Sequence, residues 1–307
     1  MLWLGLAFLS ATLLGFYDVF KKQSLKENAV IPVLFLNTLF SSLIFLPFIL
    51  LSLQEGSLLE NSIFYVPTAS WEVHKYVVLK SLIVLSSWTF GYFGMKHLPL
   101  TIVGPINATR PVMVLVGALL VFGERLNLYQ WIGVVLAIIS FFMLSRSGRK
   151  EGIDFKHDKW IYFVILASML GAISGLYDKY LMAPINEGGL GLNRMVVQSW
   201  YNIYQVGMMG AVMMFLWYPK RKSTTPFHWH WCIIFISIFL SAADFVYFYA
   251  LSLDGALISV VSMVRRGSVI VSFLCGALFF HEKNMKRKAV DLLLVLLGMI
   301  FLYIGTR

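Results

Sequence analysis

Leu240-Ser241-Ala242-Ala243-Asp244-Phe245-Val246-Tyr247-Phe248 opens a stretch that continues through the apolar tract 258–280, with Arg265 and Arg266 well inside it. Its two apolar segments are apolar enough for lipid, yet Asp244, Arg265 and Arg266 lie inside them. A charge at bilayer depth costs about 2.5–3.5 kcal/mol on insertion scales. Arginine cannot escape that cost by losing its proton. These residues must therefore face protein or water. By default they mark a substrate or ion path; the plainer reading is an internal salt bridge between helices.

The stretch has a twin. Leu85-Ser86-Ser87-Trp88-Thr89-Phe90-Gly91-Tyr92-Phe93 aligns with 240–248 at an offset of 155, with identity at Leu, Ser, Phe, Tyr and Phe. The same offset sets Arg110 on Arg265. After a slip of three, Phe122-Gly123-Glu124-Arg125 falls on Phe280-His281-Glu282-Lys283. Earlier, Gly15-Phe16-Tyr17-Asp18 corresponds to Gly175-Leu176-Tyr177-Asp178. Matches in the same order along the chain identify a duplication.

The 307 residues are 59% hydrophobic and only 13% charged, with a mean hydropathy of +0.78. That balance belongs to a polytopic membrane protein, not to a soluble domain. Spans of about 20 apolar residues fall at 2–21, 29–53, 76–97, 100–122 and 127–146, then at 160–182, 193–218, 230–252, 255–280 and 288–306. The first has no basic segment before it and repeats in 160–182, so it reads as a permanent helix and not a signal peptide. The expected organisation is a first repeat over 1–146, a charged linker over 147–159 and a second repeat over 160–307. The loop 54–75 carries Phe64, Tyr65 and Trp71, so it is expected to lie on the membrane interface.

Five spans per copy is an odd number. The second copy must enter the membrane from the opposite side, which makes an inverted repeat. Such repeats build transporters that alternate between two access states around a midplane site. The net charge of +10 reads as loop charge, not as a nucleic-acid surface. Sixteen of the 25 Lys and Arg lie in or beside loops 1–2, 3–4, 5–6, 7–8 and 9–10, and six on the other side. The positive-inside rule then sets those loops in the cytoplasm and both termini outside.

With these features the chain resembles the drug/metabolite transporter superfamily, in its ten-helix EamA-like branch. The resemblance rests on the five-plus-five duplication and on the short connection Gly123-Glu124-Arg125-Leu126, echoed by His281-Glu282-Lys283. It rests also on the first helix of each half, ending in Gly-Phe-Tyr-Asp and Gly-Leu-Tyr-Asp. It implies helices 1–4 and 6–9 around a central cavity, with helices 5 and 10 peripheral. It further implies transport of small metabolites, a multi-pass protein of a bacterial cytoplasmic membrane, and both termini inside, against the charge count. Many members carry Glu-Pro where this chain has Arg110-Pro111.

Arg110 and Arg265 sit mid-span, and Arg266 lies about 100° round the helix from Arg265. A guanidinium fork suits a carboxylate or phosphate. Pro111 and Gly267 adjoin them, and broken backbone often lines transporter sites. Gln198, Asn202 and Gln205 share one helical face and suit either a polar substrate or interhelical hydrogen bonding. Asn37 and Asn107 are weaker candidates of the same kind. Tyr92, Tyr247, Trp88 and Tyr201 offer aromatic walls, or simply packing. Asp18, Asp178 and Asp244 are the proton-carrier or counter-ion candidates. Asp244 has only Thr89 as its counterpart in the first half, and Asp18 can pair with Lys21 or Lys22 on its own helix. Lys80 and Lys179 are expected to snorkel to the interface.

Other chemistry is not indicated. Cys232 and Cys275 lie in apolar spans and suggest neither disulfide nor metal. His228-Trp229-His230 has no third ligand nearby. Gly171-Ala172-Ile173-Ser174-Gly175 fits close helix packing, not phosphate binding. No ATP-binding or hydrolase motif is present, so neither enzyme activity nor a cofactor is expected. The expectation is a secondary transporter of a small polar, anionic or zwitterionic metabolite, working as a monomer or homodimer in the lipid bilayer, with protons as a candidate coupling ion. Two alternatives stay open: a lipid head-group flippase or other lipid-handling protein, and a proton-coupled cation or drug exporter that uses Asp244.

Overall fold

The computed structural model describes residues 2–54, 59–60, 62–113, 127–149, 155–182, 185, 188–251, 253, 261, 264–280 and 285–305. The paired connections at 121–126 and 281–284, quoted above, lie outside them.

Lipid offers no hydrogen bonds, so a spanning segment must satisfy its own backbone, which an α-helix does. The apolar runs accordingly form α1 (Leu2–Leu25), α2 (Val30–Ser52), α3 (Trp71–His97), α4 (Leu100–Ala108) and α5 (Leu128–Arg149). The second half gives α6 (Lys159–Met182), α7 (Arg194–Val212), α8 (Cys232–Leu251), α9 (Ser268–Phe279) and α10 (Met285–Ile304). The helices α1, α2, α3, α6 and α8 are by themselves long and apolar enough to cross a membrane.

The packing follows the duplication. α1 lies on α8, and its image, α6, lies on α3. The remaining counterparts pair directly: α2 with α7, α4 with α9, and α5 with α10. An exchange of halves therefore leaves the packing scheme largely unchanged, as a pseudo-two-fold axis requires. The pair α5 and α10 is tied to the rest through buried Lys288, whose Nζ donates to Thr101 Oγ1 of α4 at 2.8 Å.

Three features differ from the sequence reading, each for a local reason. α7 stops as an α-helix at Val212 and continues as a π turn, Met213–Trp217, then a 3-10 turn, Tyr218–Lys220. Pro219 has no N–H to continue the ladder. The segment after α2 does more than rest on the interface. Phe64 stacks between Phe48 at 5.0 Å and Phe245 at 5.2 Å, and the Val66 N–H reaches Ser52 Oγ at 3.0 Å. It caps one end of α2 and α8. Lys80 does not snorkel: it is 3% exposed and meets an aspartate. The side chain of Lys179 lies outside the described residues.

Small residues set the helix spacing. A Cβ on Gly94 would fall 2.3 Å from Val164 Cγ2, so α3 and α6 approach through that missing methyl. Overpacking of this kind typically costs about 1–3 kcal/mol. Gly94→Ala should lower the melting temperature in detergent, and Gly94→Ala with Val164→Ala should recover most of the loss. A single variant as stable as wild type would show that α3 and α6 are not in contact there.

Candidate functional site

The arginine-bearing segments are broken helices. α4 ends at Ala108; a turn follows, with the Thr109 N–H and Oγ1 both directed to Ile106 O, at 3.2 and 2.7 Å. Helix resumes over 110–113, with Met113 N–H bonded to Thr109 O. Pro111 cannot donate to Asn107 O, which is why the ladder fails there. On the other half the turn falls at Gly267, whose N–H bonds Val264 O at 2.9 Å before α9 restarts. Arg110 thus follows one break and Arg265-Arg266 precede the other.

Arg265 is neutralised. Its Nη2 donates to Asp244 Oδ1 of α8 in a buried ion pair. The Tyr201 hydroxyl of α7 donates to the other Asp244 oxygen at 2.7 Å, and the guanidinium lies 4.3 Å over the Tyr247 ring. Asp244 therefore acts as a counter-ion here. Asp178 of α6 is paired with Lys80 of α3, and that ammonium lies 5.4 Å over Tyr201. Asp18 is paired with Lys21 at 3.0 Å, one of the two lysines expected for it, and receives a longer bond from Ser272 at 3.4 Å. Lys22 instead donates to Met95 O and Leu98 O at 2.7 and 2.6 Å, tying α1 to the end of α3.

Arg110 and Arg266 stand apart. Among the described residues, no carboxylate forms an ion pair with either. Arg110 Nη2 donates to Asn107 Oδ1 at 3.1 Å, an oxygen that Ser168 Oγ also reaches at 2.9 Å. Arg110 Nε is buried without an acceptor. The guanidinium lies flat against α6, where a Cβ on Gly171 would come within 2.7 Å of its Cζ. The charges of Arg110, Arg265 and Arg266 act on one another, as does Asp18 on Arg110 and Arg266. Five buried cations thus face three carboxylates, all three already engaged.

The amide face of α7 is inward, as its spacing predicts: Gln198, Asn202 and Gln205 are at most 2% exposed. Asn202 Nδ2 donates to Gln198 O at 2.8 Å. Asn37 Oδ1 of α2 accepts from Ser237 of α8 at 3.1 Å. Tyr92 is fully buried beside Lys21, whose ammonium is 5.1 Å over its ring. Trp88 packs between the two core clusters that hold Tyr92 and Tyr201. The sequence reading named Lys21 only as a partner for Asp18, and missed Lys80, Ser168 and Gly171 as members of this centre. The signal was available for Lys80, nine residues inside its helix and too deep for a loop charge. An open cavity of about 220 Å³ lies elsewhere, against Ile49, Val66, His74 and Trp200, and none of the candidate residues lines it.

The EamA-like transporter family model matches residues 1–146 and again 158–304. The chain belongs to that family. It is therefore a ten-helix, multi-pass membrane protein of the drug/metabolite transporter superfamily, whose members are transporters, not enzymes. A solved structure titled only "Crystal structure of protein" superposes with a TM-score of 0.61 at 13% identity, over 98% of this chain and 97% of that one, and shows the same fold. No curated protein matches.

Removing one partner of a buried ion pair costs about 3–5 kcal/mol, because the other charge is left uncompensated. Asp244→Asn should therefore destabilise strongly, while Asp244→Asn with Arg265→Gln should regain most of the stability in a detergent melt. A double variant no better than the single would mean that the pair does not couple α8 to α9.

Proposed function

We propose that the chain is a secondary transporter that moves a small anionic or zwitterionic organic metabolite across a bacterial cytoplasmic membrane, and that Arg110 and Arg266 hold the substrate's negative charge. The observation that carries this is the carboxylate shortage. A buried, unpaired guanidinium is costly, and a bound carboxylate or phosphate supplies the missing counter-charge in paired, charge-assisted bonds. The pseudo-symmetry explains how the shortage arises. Asp244 serves Arg265, whereas the equivalent Thr89 bonds only Leu85 O of its own helix and gives Arg110 nothing. The same observation disfavours a cation exporter, since all three candidate carboxylates are already paired.

Alternating access then has a structural basis in two layers of charge. Asp18 and Lys21 lie toward the end of α1, on the face of loop 1–2. Lys80, Asp178 and Asp244 lie toward the opposite face. Opening one layer while the other stays closed exposes the arginines to each side in turn. Uptake of a proton by Asp244 would free Arg265 to join the anion, coupling the two movements. The loop charges orient loop 1–2 to the cytoplasm. Burial of Lys21, Lys288 and Lys80 removes residues from both sides of that count and leaves its direction intact.

A ligand at a hundred times its Kd stabilises by about 2.7 kcal/mol. A carboxylate, phosphate or amino acid should therefore raise the melting temperature of the wild type in detergent and fail to do so for Arg110→Gln with Arg266→Gln. Gly171→Ala, which keeps every charge and gains about 1 kcal/mol of helix propensity, should weaken the same ligand several-fold by displacing the Arg110 head group. Stabilisation by cationic drugs alone would reverse the reading.

A further inference from the structure

α2, α7 and α8 meet along a seam of amides and hydroxyls that the charges do not use. Successive rungs join α7 to α8: Gln198 Nε2 reaches Ser241 O at 3.4 Å, and one turn further Tyr201 reaches Asp244 at 2.7 Å. Ser42 Oγ ties α2 to Asn202 O at 2.7 Å. Gln205 follows Tyr201 by four residues, on the same face and about one helical turn, 5.4 Å, along the axis. The seam is therefore contiguous with the arginine centre.

Its polar groups are also short of partners within the protein. Both amide atoms of Gln205, the Nδ2 of Asn37, the Oε1 of Gln198 and the hydroxyls of Ser41 and Ser241 are buried without a hydrogen-bond partner. Their residues are at most 6% exposed. Native interiors rarely strand polar atoms in this way, and each stranded atom costs free energy that an apolar side chain would not. Gln205 alone has two free donor hydrogens and a free carbonyl oxygen. Among the described residues, Asp244 at the Tyr201 rung is the one charged group in the seam, and it is already paired with Arg265. The free groups are both donors and acceptors, and a hydroxyl group is the neutral complement that satisfies both at once.

We propose that this seam is a second subsite that reads hydroxyl groups, so that the transported anion is polyhydroxylated, of the sugar-acid or sugar-phosphate class. The inference rests on the anion reading above: the arginines hold the charged end, and Gln205, Asn37 and their neighbours hold the hydroxylated body. A site built to hydrogen-bond a hydroxyl rejects the analogue lacking it, because its own buried groups are then left unpaired.

The test is a melting-temperature titration of the full-length protein in detergent with matched pairs: glycerate against propionate, gluconate against hexanoate, glycerol 3-phosphate against propyl phosphate. The carboxylate and phosphate arms separate the two sources of charge. In the wild type, at least one hydroxylated anion should act at a tenfold or greater lower concentration than its match. Gln205→Leu should melt no lower than wild type, since a stranded amide is replaced by a side chain of similar size, and should lose that tenfold preference while still responding to the deoxy anion. Ser241→Ala carries the same test if Gln205→Leu does not fold. A wild type without hydroxyl preference, or a preference that survives in the variant, overturns the subsite. If no anion in the panel stabilises the wild type, or if Arg110→Gln with Arg266→Gln responds as the wild type does, the anion reading fails first and the subsite falls with it.

Discussion

The structure depends on how charge is held inside a layer that repels it. Each intramembrane charge costs about 2.5–3.5 kcal/mol by insertion scales, and the centre around Arg110 and Arg265 alone brings together the cations Lys21, Lys80, Arg110, Arg265 and Arg266 and the carboxylates Asp18, Asp178 and Asp244. Pairing relieves part of that cost and, in doing so, fixes geometry. Lys80 with Asp178 binds α3 to α6, and Arg265 with Asp244 binds α8 to the segment leading into α9. Tyr201 adds α7 to the second pair through its 2.7 Å bond. The helices are thus joined at depth by a few strong contacts, in a medium that supplies no hydrophobic drive for helices to associate. Close approach through Gly94 and Gly171 then brings the backbones near enough for those contacts to form.

The duplication supplies the arginines in equivalent places, and its imperfection leaves Arg110 without the counter-ion that Arg265 has. A strictly symmetric chain would give each arginine the same counter-ion, and nothing inside would call for a ligand. Here the aspartate that serves Arg265 is a threonine in the other copy, and Thr89 turns its hydroxyl back to Leu85 O. The helix breaks sharpen the same point. Interrupted backbone at 109 and at 267 exposes peptide groups at bilayer depth, tolerable only where protein or an internal polar space receives them.

Much of this was legible in the sequence, and what was not has identifiable causes. Span number, inversion and the mid-span position of Arg110, Arg265 and Arg266 follow from hydropathy and self-similarity, which are one-dimensional signals. The inward face of Gln198, Asn202 and Gln205 follows from spacing alone. Which cation meets which carboxylate does not, because partners such as Lys80 and Asp178 are 98 residues apart and are chosen by tertiary packing. Lys80 looked like a flanking lysine because its helix begins earlier, at Trp71, than the apolar run suggests. The aromatic segment after α2 reads as interfacial in the sequence, but its stacking between Phe48 and Phe245 depends on where α2 and α8 end relative to each other.

Polar groups in this core fall into two kinds, and the contrast between them bears on the proposed site. Those that hold helices together are paired: Asp18, Asp178, Asp244, and Asn28, whose amide is bonded to Ser24 O and to the backbone of His228. Those left unpaired include a group at Arg110 and along the seam of Gln205, Asn37, Gln198, Ser41 and Ser241, besides single atoms of Tyr92, Arg194, Ser199, Trp217, Arg265 and Asp291 elsewhere in the bundle. The seam differs from those single atoms in having donors and acceptors side by side. Under the anion reading its groups are held in place before the ligand arrives, and the ligand, not the fold, completes their hydrogen bonding.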